Sequence, residues 1–169
     1  MTDVPELTTE RLVLRGPVGD DFAIFAAFYA SDAARYIGGP LGIADAWRLF
    51  AADVGHWSLK GFGWWTVIED DTVVGSVGLH HPAHHDDIEI GWNTYSGAEG
   101  RGIATEAATA ALNWAASVLK PERLVSYIAE SNLASMKLAE RLGATLQPGR
   151  ASHAADNLIY LHDLSRYAK

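Results

Sequence analysis

The chain has 169 residues, 49% of them hydrophobic, which suits one domain with its own core and excludes wholesale disorder. Its 21 acidic and 13 basic side chains leave a formal charge of −8, a field that repels nucleic-acid phosphates, favours cationic partners such as amines and keeps the chain in solution. No cysteine is present, so disulfides, thiolate nucleophiles and thiolate metal sites are excluded, and no apolar run is long enough to span a membrane.

The polar, acidic first ten residues are unlike a signal peptide, and a cytoplasmic location is expected. Leu12 and Leu14 alternate with Arg11, Val13 and Arg15, so residues 11–15 are predicted as the first strand. Asp20 or Asp21 stands where it can cap a helix carrying Phe22, Phe25, Ala26 and Tyr29 at helical spacing. After the break at Gly38-Gly39-Pro40, a second helix is expected from 43 to about 59, packing through Trp47, Phe50, Val54 and Trp57. Two helices inserted here would form a wall or lid over a pocket. Residues 63–69 and 73–80 read as a hairpin turning at Asp70-Asp71, and 87–94 as the next strand. Trp64 and Trp65 are consecutive, so one faces the core while the other faces a pocket or a subunit contact.

A helix from 102 to about 119 follows, and its alanines (104, 107, 108, 111, 115) predict close approach to a sheet. Pro121 ends it and 123–129 is predicted as a strand. Asn132 caps a short helix with Leu133, Met136, Ala139 and Leu142 on one side, and Gly143 stops it. Residues 144–147 and 158–161 supply the last strands, with a polar loop over 149–157. The expected fold class is α/β (α+β): one domain with a mixed, mostly antiparallel sheet flanked by helices.

Three groups of residues carry candidate chemistry. The run Glu99-Gly100-Arg101-Gly102-Ile103-Ala104-Thr105 lies between a strand and a helix start. It reads either as a chain reversal or as an anion cradle, because the first helical turn leaves four N–H groups without partners. Glu89 shares a strand face with Gly91 and Asn93, opposite Ile88, Ile90 and Trp92; a mid-strand carboxylate is either a proton acceptor or an ion-pair partner. His80, His81, His84, His85, Asp86 and Asp87 crowd eight residues and are of metal-ligand type. The histidines come in adjacent pairs separated by Pro82, so a solvated loop without a convergent centre is expected. No metal site is assigned, and His80 is the reserve base.

Glu99-Gly100-Arg101-Gly102-Ile103-Ala104, together with Asn132-Leu133-Ala134-Ser135 and Arg141-Leu142-Gly143-Ala144 downstream, resembles the GCN5-related N-acetyltransferase superfamily. The opening strand at Arg11-Leu12-Val13-Leu14-Arg15 is similar too, and the likeness is to the branch of ribosomal-protein N-terminal acetyltransferases. It runs from Thr9 to about His162. Two positions depart from the family's pattern: Glu99 stands where Gln or Arg is usual, and Ala139 where other branches carry a tyrosine. Glu99 is expected to face solvent or pair with a cation.

The resemblance implies acetyl transfer from acetyl-CoA to a primary amine, of a protein N-terminus or a small molecule, by direct attack in a ternary complex that requires no metal. It implies a splayed strand pair for the acyl donor. Trp92, Asn93 and Thr94 would hold the pantetheine, and Arg101, Gly102, Ile103, Ala104 and Thr105 the pyrophosphate. Asn132 and Ser135 would lie near the sulfur. Glu89 would be the base, Ser135 the proton donor to sulfur and Tyr127 a second candidate acid. A catalytically silent acyl-CoA-binding module is the alternative. A homodimer is expected, with neither nucleic acid nor membrane as partner.

Overall fold

Eight strands form one sheet, and an alanine-rich helix packs on its face, in the computed structural model, which describes residues 3–167. The strands are β1 (Leu7–Thr8), β2 (Val13–Arg15), β3 (Trp64–Glu69), β4 (Thr72–His80), β5 (Ile88–Thr94), β6 (Leu124–Ala129), β7 (Thr145–Leu146) and β8 (Asn157–Leu161). Their order is β1-β2-β3-β4-β5-β6-β8-β7, and every neighbouring pair is antiparallel except β5–β6. The helices are α1 (Phe22–Tyr29), α2 (Ile43–Lys60), α3 (Ile103–Trp114, continuing as a π turn over Ala115–Leu119) and α4 (Leu133–Arg141). This is the mixed, mostly antiparallel α/β sheet that the residue pattern predicts. Among the described residues no helix is long and apolar enough to cross a membrane.

The main core lies between α3 and one face of the sheet. Ala107, Ala108, Ala111 and Ala115 are buried against β4 and β5, where methyl side chains let the helix backbone come close. Leu12, Leu14, Trp65, Val77, Leu79 and Ile90 fill the sheet side, all fully or almost fully buried. A second, aromatic core under α1 and α2 joins Phe25, Phe28, Tyr29, Phe50 and Tyr95. The β3–β4 turn is the two-residue type expected: Asp70 and Asp71 both sit in the left-handed region, at φ 46° and 61°.

Several expectations need correction. The predicted first strand is the second: the short β1 precedes it and pairs only with β2, too brief to show an alternation. On α2, Trp47 and Val54 are exposed, while Ala46, Phe50, Asp53, His56 and Trp57 are buried. The buried face thus includes two polar residues that a purely apolar stripe passes over, and Trp47 packs edge-on against Phe22 at the surface. Asp21 occupies the N-cap position of α1 but makes no capping bond. Its carboxylate instead takes both Arg15 guanidinium N–H groups at 2.8 Å, the Val18 N–H at 2.9 Å and the Thr66 hydroxyl at 2.9 Å. Burial alone would raise the Asp21 pKa, but these donors outweigh it and hold the group below its ordinary value.

The feature that positions the site is where β5 and β6 stop pairing. Their register covers only Ile88↔Leu124 and Glu89↔Val125; beyond it the strands diverge. At the fork the Ser126 hydroxyl, 2% exposed, donates to the Ile90 carbonyl at 2.7 Å. With its hydrogen used there, the hydroxyl accepts from His162 Nε2 at 2.9 Å, which fixes the ring's tautomer. Burial pushes His162 down to about 4, so the ring is neutral at pH 7.

Replacing Asp21 with Ala is expected to cost about 2–3 kcal/mol, near the low end for breaking a buried pair because the Arg15 side chain is 28% exposed. Asp21 is lowered in the folded state, so its contribution is full above its ordinary pKa and is lost as pH falls through the folded value; urea melts of D21A and the parent should converge below pH 3.8. Ser126→Ala leaves the Ile90 carbonyl and the His162 N–H without partners, at about 1–3 kcal/mol for each group. A urea midpoint unchanged in S126A would show that the hydroxyl does not hold the fork.

Candidate active site

Divergence of β5 from β6 opens two cavities that share an edge. The first, about 480 Å³, is lined by Glu89 and His80 on the strands, Tyr127 on β6, and Tyr29 and Asp53 from the inserted helices, which form the wall that the sequence predicts. The second, about 590 Å³, runs past Thr94 to Gly100, Gly102, Ile103, Ala104 and Thr105. Trp92, Asn93, Asn132 and Ser135 border both. All the predicted residues except Arg101 therefore border these two adjoining cavities, with Glu89, His80 and Tyr127 at one end and the glycine loop at the other.

The loop has the geometry of an anion cradle. Gly100 and Gly102 lie at φ 71° and 78°, in the left-handed region that favours glycine. Gly102 is the N-cap of α3 and no side chain caps this end, while the first intrahelical bond runs from the Glu106 N–H to the Gly102 carbonyl. The N–H groups of Ile103, Ala104 and Thr105 belong to the first turn and have no carbonyl to meet within the helix.

Behind the loop, Arg11 donates to the Arg101 carbonyl at 2.6 Å and to Glu106 at 2.7 Å, clamping it to the β2 side. The Arg101 guanidinium is turned to Glu69 at 2.6 Å rather than toward the groove. Arg35 and Arg141, which the glycine pattern does not single out, border the groove instead. Glu99 faces solvent, as expected, and its carboxylate also accepts from the Gly97 N–H at 2.7 Å.

At the junction, Asn132 caps α4 through its side chain, which accepts from the Ser135 N–H at 3.2 Å. The Ser135 hydroxyl accepts from the Trp92 indole N–H at 3.3 Å, which leaves its own hydrogen to donate. The Asn93 side chain donates to Ser76 at 3.1 Å. The β5 backbone from Trp92 to Thr94 pairs with β4 only, so its β6-facing edge is open.

Glu89 shows the predicted alternation: it lines the cavity with Gly91 and Asn93 while Ile90 is buried in the core. Burial pushes its carboxyl up to about 8, opposed by a hydrogen bond from the Tyr127 backbone. Trp64 lies over Gly91, where an added Cβ would meet the indole at 2.8 Å, and Trp65 is fully buried, so the two tryptophans divide as expected between pocket and core. The Tyr127 hydroxyl accepts from the Asp87 N–H at 3.2 Å and its pKa is raised by burial.

The histidine segment is only in part the solvated loop expected from its adjacent pairs: Ala83, His84 and Asp86 are exposed, but one histidine turns inward. His85 folds back so that Nδ1 lies 3.3 Å from Glu89 Oε2, with side chains only 8% and 17% exposed. His80 is the register partner of Glu89 across β4–β5. Burial lowers His80 to about 4, with His56 adding to the effect, and His85 to about 3, with His153 adding. Buried His56 anchors the loop's start: Nδ1 lies 2.6 Å from the Phe62 carbonyl, and Nε2 accepts from the His81 N–H at 3.0 Å. Sequence reading also missed Asp53, which is 6% exposed, borders the first cavity, and is pushed up to about 8 by burial. Its only sequence signal was an acidic residue on the apolar side of an amphipathic helix.

A family model for the acetyltransferase (GNAT) domain matches residues 11–145. A solved acetyltransferase of Agrobacterium tumefaciens strain C58 is 35% identical, with 96% of each chain covered and a TM-score of 0.91. An uncharacterized N-acetyltransferase of Bacillus subtilis strain 168, YjdG, is 34% identical over 97 residues. That match covers 56% of this chain and 58% of the relative, so it spans little more than half of that protein's length. The ribosomal-protein α-N-acetyltransferase RimL, solved in complex with coenzyme A, shares the fold at 14% identity, with 94% and 97% of the two chains covered and a TM-score of 0.75. With four-fifths of its length matched by the domain model and a solved relative superposing over nearly all of it, the chain belongs to the GNAT acetyltransferase family.

Proposed function

We propose that this chain transfers an acetyl group from acetyl-CoA to a primary amine by direct attack within a ternary complex. The observation that carries the reading is the continuous opening between β5 and β6. Its glycine loop suits a pyrophosphate, its junction suits a thioester, and its far end holds a buried carboxyl. The residues fit an acyl-CoA. The N–H groups at 103–105 would hold the pyrophosphate, the open edge of β5 would pair with the pantetheine amides as an added strand would, and Arg35 and Arg141 would meet the remaining negative charge. The acyl donor supplies an activated thioester carbonyl; the rest of the chemistry is proton management.

An alkyl ammonium near pKa 10.4 must lose a proton before its nitrogen is a nucleophile. Passing that proton to an ordinary glutamate is uphill by about 8 kcal/mol, at 1.36 kcal/mol per pKa unit. With the Glu89 carboxyl raised to about 8, the gap narrows to about 3 kcal/mol. The burial that weakens Glu89 as an acid thus makes it a stronger base, and we assign it that role. Ser135 is assigned as donor to the departing sulfur, since the Trp92 indole occupies its acceptor side and its hydrogen is free. Asn132 positions Ser135 by fixing the first turn of α4. Tyr127, whose hydroxyl accepts from the Asp87 N–H and so also keeps its hydrogen, is the second candidate for the same step, its acidity lowered by burial.

The acceptor's chemistry follows from the cavity. It must present a neutral amine near Glu89 and carry a body that tolerates Trp64, Tyr29 and Asp53. A peptide N-terminus, as in the ribosomal-protein branch, and a small-molecule amine both meet that description. In either case the enzyme would act on a cation drawn toward an acidic protein.

Two measurements test this reading. Glu89→Gln should lower kcat by about 100-fold or more while leaving the KM for acetyl-CoA nearly unchanged. The parent's rise in kcat/KM with pH, centred near 8, should vanish in E89Q; the rise persisting would remove Glu89 as the base. Gly102→Pro fixes φ near −65° where the fold needs 78° and deletes a loop N–H. Acetyl-CoA affinity by calorimetry should fall at least tenfold with the circular dichroism spectrum retained, and undiminished affinity would disprove the cradle.

A further inference from the structure

We propose that His80, His85 and Glu89 form a site for one divalent transition metal of the Zn²⁺ class, and that its occupancy withdraws Glu89 from the amine. The second half rests on the acetyl-transfer reading; the first stands on geometry alone. One ligand atom from each of the three residues can be chosen so that all lie within 4.8 Å of one another. Two are set by the sheet: His80 and Glu89 face each other across β4–β5, so their side chains leave the same face from adjacent strands. The third comes from the loop that returns His85 to within 3.3 Å of Glu89 Oε2. That separation matches the ligand-to-ligand edge of a tetrahedral zinc site, about 3.3 Å for bonds of about 2.0 Å.

His85 supplies the independent sign that something is meant to bind. Its side chain is 92% buried, and Nδ1 has no hydrogen-bond partner although it lies 3.3 Å from Glu89 Oε2, so a buried ring nitrogen is left unsatisfied beside the carboxyl. The ring is held there by its neighbours. His153 stacks on it at 3.9 Å between centroids, and Tyr127 meets it edge-on at 5.3 Å. Two imidazoles and one carboxylate select zinc, nickel or cobalt over calcium and magnesium, which require shells of oxygen. Three protein ligands leave a fourth position facing the cavity, as open zinc sites do. A carboxylate bound to a metal cannot take a proton from an ammonium, so metal and amine would compete for one group.

Tag-free chain should be titrated with ZnCl₂ by calorimetry and with Co²⁺ by visible absorption, without acyl donor or amine. The expected result is one ion per chain with the intense bands of tetrahedral Co²⁺. His85→Gln and His80→Gln should each weaken affinity at least tenfold. His84→Gln, which alters an exposed histidine of the same loop, should leave it unchanged. Absence of binding by the parent chain overturns the site, as does affinity retained in both H80Q and H85Q or lost in H84Q. In a CoA-release assay Zn²⁺ should raise the amine KM without changing that for acetyl-CoA; bound metal with the amine KM unaltered overturns the competitive role. Transfer without zinc binding would sink the metal site alone, whereas zinc binding without transfer would sink only the acetyl-transfer reading.

Discussion

The structure turns on two parallel strands that pair over two residues each and then part. A sheet interrupted at its centre exposes backbone donors and acceptors that water or protein must satisfy. The Ile90 carbonyl at the fork is met by Ser126, which in turn is held by His162 on the segment after β8. A side-chain bond thus stands where the next ladder bond would have been. The fork is bridged by these bonds, whereas the β5 edge beyond it stays open. Both cavities and their shared border at Asn132 and Ser135 follow from that one departure from regular pairing.

On a chain of charge −8 the proposed pyrophosphate site would need local reversal of the field. In that reading it would come from backbone rather than from the loop's own arginine, which is paired with Glu69. Left-handed glycines turn the loop so that the first amides of α3 front the groove, while Arg11, Glu106, Arg101 and Glu69 interlock behind it. Arg101 therefore contributes to the position of the loop, not directly to its charge. The arginines that do border the groove are Arg35, which is paired with Asp32 at 2.9 Å, and Arg141, far apart in sequence. Positive potential assembled from amides and distant side chains leaves little trace in any short motif.

What could be read from the chain was whatever depends on near neighbours. Strand alternation at Leu12 and Leu14 and around Glu89, the alanine spacing of α3, the Asp70-Asp71 turn and the Asn132 cap are all local, and the structure contains them. The reading weakened where tertiary partners decide. Asp21 looked like a cap because capping is a local bond, but Arg15 and Thr66 offered it stronger ones. Trp47 looked buried by periodicity, yet the buried face of α2 is rotated toward Asp53 and His56. The histidine segment departs from its expected exposure at His85 for the same reason. Spacing along the loop argued against convergence, whereas convergence is made by His80 on one strand, Glu89 on the next and a loop that folds back.

Burial acts on this cluster in opposite directions, and that gives the cavity its chemical character. It raises the carboxyl of Glu89 and lowers the imidazoles of His80 and His85, so near pH 7 the three groups are mainly uncharged. A neutral cluster avoids the cost of isolated charges in a poorly hydrated space. A cation entering beside Glu89 reverses the balance, because its field favours the carboxylate, and the carboxyl proton must then leave. Cation binding and proton release are thereby linked at a single residue. The amine and a divalent metal would both draw on this linkage. The amine must itself surrender a proton before it can react, and so returns what its arrival displaced, while a metal has none to give and would hold Glu89 in the ionised state. The same buried carboxyl would therefore serve either cation, but only the amine could restore the proton it displaces.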